Sequence, residues 1–107
     1  MAVIEVGQIS VDEEQIKAFC EKWQIAELAL FGSVLRDDFR PDSDIDVLVT
    51  FKPAVRRRYE EIWDMKQELR AVFGRDIDLA QRQVIDGDAN ALRRRRILAS
   101  ARTVYAA

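Results

Sequence analysis

Asp44 and Asp46 stand one residue apart in the run FGSVLRDDFRPDSDIDVLV, which spans Phe31 to Val49 and carries a Gly32-Ser33 pair upstream of them. Side chains two apart on a strand project to one face, with Cα atoms ~6.6 Å apart, so the two carboxylates can converge on a shared cation. A third acid, Asp78, lies in RDIDLA between the apolar Ile77 and Leu79, and Asp76 shares its parity. If that strand lies beside Ile45 to Phe51, three carboxylates surround one oxygen-rich site. Such a site suits magnesium, which demands hard oxygen ligands at ~2.0–2.1 Å. Two ions ~3.5–4 Å apart could clamp the attacking and leaving oxygens of a phosphoryl displacement. Without a cation, clustering these like charges should raise the pKa of one carboxylate.

Gly32-Ser33 supplies the complementary half. A glycine permits close backbone approach, a serine offers a hydroxyl, and the amides at the start of a following helical turn can receive phosphate oxygens. A nucleoside triphosphate would then lie between turn and metal ions. Competing readings of the same acids are weaker. Asp42, Asp44 and Asp46 imitate the first positions of a calcium loop, but Val47 and Pro53 stand where that loop needs glycine and glutamate.

Composition narrows the chemistry further. Histidine is absent and cysteine occurs once, at Cys20, which excludes His-dependent triads, His-ligated zinc, disulfide frameworks and Cys-based metal sites. Carboxylates are left to do any metal work. The formal net charge of −2 gives no reason to expect a nucleic-acid or membrane partner. Arg93 to Arg96 form a basic run, but four consecutive helical residues point all around the axis and make no single phosphate-binding stripe. No stretch approaches the ~20 apolar residues of a membrane span, and the N-terminus lacks a secretory signal, so a cytoplasmic protein is expected. At 107 residues the chain reads as a single domain, 1–107, with little room for a second substrate-binding lobe.

The elements that must position these residues follow from periodicity. Ser10 and Glu13 form a capping-box pattern, and Ile16, Phe19, Cys20 and Trp23 recur at helical spacing, which predicts a helix over 11–23. Ile25 to Phe31 reads as a strand stopped by Gly32-Ser33, with a brief helical turn over 33–37 and a loop over 38–43. Ile45 to Phe51 is a second strand, dense in valine and isoleucine and closed by Pro53. A helix over 55–73, ended by Gly74, carries Ile62, Met65, Leu69, Val72 and Phe73 on one stripe. A third strand is expected over 75–80, then a polar turn around 86–88 and a last helix over 89–104, with Leu92, Ile97, Ala101, Val104 and Tyr105 able to face inward. Trp23, Trp63, Phe19 and Tyr59 read as core or partner contacts. The pattern predicts an α+β fold, an α/β sandwich with a small mixed sheet of three to four strands and about four helices.

The pattern of Gly32-Ser33 followed by Asp44-x-Asp46, with Arg36 and Ser43 in the interval, resembles the DNA polymerase β-like nucleotidyltransferase superfamily. Its smallest branch, the minimal nucleotidyltransferases paired with HEPN-domain toxins in toxin–antitoxin systems, is the most similar. The resemblance covers nearly the whole chain. It implies a polymerase β-like core in which Asp44, Asp46 and Asp78 are metal ligands and catalytic residues, Asp78 helping to deprotonate the acceptor hydroxyl. Gly32, Ser33, Arg36 and Ser43 would bind the nucleotide. Asp37 departs from the pattern, standing where many members carry glycine. The resemblance also implies an antitoxin that uses magnesium, as two ions, to transfer AMP from ATP to a tyrosine of a partner HEPN toxin, releasing pyrophosphate. Two other functions stay open: an antitoxin that neutralises its partner by stoichiometric binding alone, and nucleotide transfer to RNA or to a small molecule.

Overall fold

A computed structural model describes residues 3–37 and 39–107. Asp38, the first residue of the expected 38–43 loop, lies outside the described residues. The chain opens with a hairpin that is not among the elements expected above. Strands β1 (Val3–Val6) and β2 (Ile9–Asp12) pair antiparallel, with Val6 opposite Ile9 across Gly7-Gln8. Ser10, expected to cap the first helix, is instead a strand residue opposite Glu5. The cap is Asp12, whose carboxylate accepts the backbone N–H groups of Glu14 and Gln15 at 2.9 and 3.4 Å. Helix α1 therefore runs Glu13–Trp23 and buries the expected stripe of Ile16, Phe19, Cys20 and Trp23. Burial, aided by neighbouring Glu21, pushes the Cys20 thiol up to about 12, consistent with a small core residue.

Strand β3 (Ile25–Phe31) passes into a 3-10 turn over Gly32–Leu35, and β4 spans Ile45–Phe51. Helix α2 runs Tyr59–Phe73, four residues shorter at its start than expected. In the intervening chain the Arg57 guanidinium donates to the Trp23 carbonyl at 2.7 Å and lies 5.1 Å from the Trp23 ring centroid. Glu61 closes the helix start by accepting the Arg58 N–H at 3.0 Å. Strand β5 spans Ile77–Gln81 and leads directly into a short helix, α3 (Arg82–Asp86).

The C-terminus corrects a further expectation. Helix α4 covers only Ala91–Ser100, and Arg102–Ala106 form a strand, β6, rather than the end of that helix. Thr103, Val104 and Tyr105 are β-branched or aromatic and suit a pleated surface. Tyr105 and Thr103 gain ladder partners along β3 in Leu28 and Ala29, with a register shift between them at Val104. Leu92, left on α4, is exposed.

The main sheet has the order β5-β4-β3-β6, with β4 and β5 parallel and the other pairs antiparallel. Alternation sends Leu28, Leu30, Val47 and Val49 toward α1 and α2, and Ala29 and Leu48 toward Ile85, Ile97 and Leu98 of α3 and α4. The expected α/β sandwich with a mixed four-stranded sheet is thus what the chain forms. Among the described residues no helix is long and apolar enough to cross a membrane.

Candidate active site

The acids meet at one end of the sheet because of its register. Asp46, the second residue of β4, lies opposite Phe31 at the end of β3 and opposite Asp78 on β5. The parallel register brings the Asp46 and Asp78 side chains into hydrogen-bond contact, with Asp44 within electrostatic range just before the strand. Asp46 is half-buried, whereas Asp44 and Asp78 are exposed. Burial is the largest influence on Asp46, followed by the charge and hydrogen bond of Asp78 and the charge of Asp44. Together they push its pKa up to about 6, against the opposing pull of the Ser33 backbone N–H. The contact favours the protonated form of Asp46, because two ionised carboxylates offer acceptors only.

The Gly32-Ser33 turn closes the other flank. Ser33 donates its backbone N–H to the Asp46 carboxylate. Gly32 adopts φ +76°, and a Cβ there would collide with Asp46 Oδ2. Glycine is thus required both by the backbone conformation and by the approach of the acid.

The remaining expected residues are distributed around this centre. Asp76, the local rival of Asp78, turns its carboxylate to Arg70 at 3.1 Å and its carbonyl to the Ile45 N–H at 2.9 Å. Ser43 is engaged in its own loop: its hydroxyl accepts the Arg40 N–H at 3.1 Å, and its N–H donates to the Arg40 carbonyl at 3.0 Å. Arg36 ends the 3-10 turn, its N–H donating to the Ser33 carbonyl at 2.9 Å, and is exposed.

Among the described residues, no group of three or more acidic, cysteine or histidine side chains closes on a point that could hold a metal ion. The arrangement is instead a touching pair, Asp46 and Asp78, with Asp44 beside it. Its donors are all carboxylate oxygens, and a hard divalent cation would offset the mutual repulsion that raises the Asp46 pKa. The residues present fit such an ion.

A model of the nucleotidyltransferase domain matches residues 12–104, nearly the whole chain. The chain belongs to the nucleotidyltransferase domain family. It is 29% identical over 85 residues to the protein adenylyltransferase MntA of Thermococcus cleftensis, an alignment covering 77% of this chain and 82% of that protein. A toxin–antitoxin pair solved with AMP-PNP contains a chain of similar fold, with TM-score 0.69 and 19% identity over 91% of this chain and 75% of that one. So does the tri-AMPylated Shewanella oneidensis HEPN toxin in complex with its MNT antitoxin, with TM-score 0.60 and 20% identity over 89% of this chain and 70% of that one.

Several residues of this nucleotidyltransferase that surround the site are not singled out by the sequence pattern above. The N-terminal hairpin props the turn from behind, with Gln8 donating its N–H to the Val34 carbonyl at 3.0 Å. Gly7, at φ +57°, lies so near Val34 that a Cβ would overlap its carbonyl. The alternation of VIEV and ISVD about Gly7-Gln8 is a hairpin signal that could have found it. Arg75 donates to the carbonyls of Arg40 and Pro41, an arrangement that no sequence pattern announces. Of the four aromatic residues read as core or partner contacts, Phe19 and Trp23 are buried. Tyr59 and Trp63 remain 85% and 55% exposed and line a cavity of about 210 Å³ beside Asp78.

Proposed function

We propose that this nucleotidyltransferase is an antitoxin that transfers AMP from ATP to a tyrosine hydroxyl of a partner HEPN toxin and thereby silences it. The observation that carries this reading is the contact of Asp46 with Asp78 directly across from the Gly32-Ser33 turn. Family membership supports the reaction class. The relative from Thermococcus cleftensis, named a protein adenylyltransferase, and the fold shared with an antitoxin bound to an AMPylated HEPN toxin support the acceptor.

In this reading the acceptor oxygen bonds to the α-phosphorus of ATP as the bond from that phosphorus to the bridging oxygen of pyrophosphate breaks. Pyrophosphate leaves with the electron pair. Asp78, exposed on the outermost strand, accepts the hydroxyl proton. Ser33 holds the triphosphate through its hydroxyl, its amide being engaged by Asp46, while Gly32 lets the two approach. Arg36 and Ser43 border the nucleotide. Asp44, Asp46 and Asp78 would hold Mg²⁺, which when bound neutralises the triphosphate and the charge developing on pyrophosphate. The exposed rings of Tyr59 and Trp63 offer the partner an aromatic surface next to Asp78.

Incubating the protein with Mg²⁺, its HEPN partner and each of labelled ATP, GTP, CTP and UTP tests this directly. Label should pass to the partner from ATP alone and should be lost when the acceptor tyrosine is replaced by phenylalanine. Labelling of RNA, or no labelling while the partner is still neutralised, would contradict it.

A further inference from the structure

Asp44 lies outside β4, at the end of an exposed loop, and such a position leaves a carboxylate free to wander unless something holds its backbone. Two anchors bracket it. On the N-terminal side, Arg75 Nη1 donates to the carbonyls of Arg40 at 2.9 Å and Pro41 at 3.0 Å, and its guanidinium lies 4.4 Å from the Phe39 ring centroid. The Arg40 carbonyl also receives the Ser43 N–H, so Arg75 grips the tight turn that ends one residue before Asp44. On the C-terminal side, the Ile45 N–H donates to the Asp76 carbonyl at 2.9 Å. Asp76 is itself fixed by Arg70 at 3.1 Å.

Arg75 and Asp76 are consecutive, and they join α2 to β5, the strand that carries Asp78. One dipeptide therefore ties the loop presenting Asp44 to the strand presenting Asp78. We propose that Arg75 is a positioning residue for nucleotidyl transfer, acting through the 39–43 loop to hold Asp44 beside the Asp46–Asp78 pair. A planar guanidinium suits this role because it presents donors in a fixed fork while its face stacks on an aromatic ring, so loop and ring are gripped together. The proposal rests on the reading of Asp44 as a metal ligand given above.

The test compares Arg75→Ala, Arg75→Lys and Phe39→Leu in the full chain, reading amide hydrogen exchange, Mn²⁺ affinity from the free-ion EPR signal, and transfer kinetics. Phe39→Leu keeps the hydrogen bonds and serves if Arg75→Ala fails to fold. Arg75→Ala should speed exchange at the Ser43 and Ile45 amides at least tenfold, weaken Mn²⁺ binding at least fivefold and lower kcat at least tenfold, with KM for ATP at saturating metal within twofold. Arg75→Lys should recover part of each loss, and Phe39→Leu should shift each in the same direction by less. Faster exchange with unchanged Mn²⁺ affinity and kcat would overturn the positioning role. A wild-type protein that neither binds Mn²⁺ nor transfers nucleotide would instead overturn the function on which the proposal rests.

Discussion

Asp46 and Asp78 occupy matched positions on the adjacent parallel strands β4 and β5, and their carboxyl groups are joined by a hydrogen bond. This pairing sets one half-buried acid against an exposed one at the sheet edge. Parallel strands require a crossover, and α2 supplies it, burying Met65 and Leu69 against the same sheet. The helix that completes the core thus also delivers Asp78 to Asp46.

Such a pair should weaken the fold in the absence of a cation. The folded-state pKa of Asp46 is about 6, raised from 3.8, so between pH 4 and 6 the native state holds a proton that the unfolded chain has released. Stability contributed at this site is therefore greatest at low pH, falls as pH rises through that window, and is fully lost above it. A shift of this size is worth about 3 kcal/mol by the conversion per pKa unit, and partial exposure screens it to about 1 kcal/mol. Asp46→Asn should then raise Tm by about 4 °C at pH 7.5, with the advantage over wild type shrinking toward pH 4. Thermal melts of both proteins across that range check this. A difference in Tm that does not vary with pH would contradict it.

Gly32 offers a test of the turn. An alanine there must adopt a left-handed conformation, which costs roughly 1–2 kcal/mol, and its Cβ would displace Asp46 from the Ser33 N–H. Gly74 provides a matched control, since it has φ +70° but open space where a Cβ would go. Both Gly32→Ala and Gly74→Ala should lower Tm by several degrees, while only Gly32→Ala should reduce transfer, by about 100-fold or more. Equal activity in the two variants would show that the close approach of Gly32 to Asp46 does not matter to the reaction.

Much of this arrangement is legible in the residues. The strand over 25–31, the strand over 45–51 and the buried face of α1 are all declared by apolar periodicity, and Gly32-Ser33 announces the break between strand and turn. Spacing also nominates Asp78, though it cannot choose between Asp78 and Asp76, because parity is shared. The choice is made by strand register and by the Arg70 guanidinium, both tertiary. Strand β6 reads as helix from its residues because a short apolar stretch after α4 satisfies either period, and only the free edge of β3 decides it. Arg75 leaves no trace in sequence, since it acts on backbone carbonyls 34 and 35 residues away that every residue possesses.

If these aspartates carry out nucleotidyl transfer to a partner protein, modification of that partner must depend on them. Intact-mass spectrometry of the HEPN partner, after incubation with ATP, Mg²⁺ and either the wild-type protein or Asp44→Asn/Asp46→Asn, measures it most directly. Wild type should add adenylyl mass increments and the double variant none, while the variant remains folded by circular dichroism. Undiminished adenylylation by the folded double variant would contradict it.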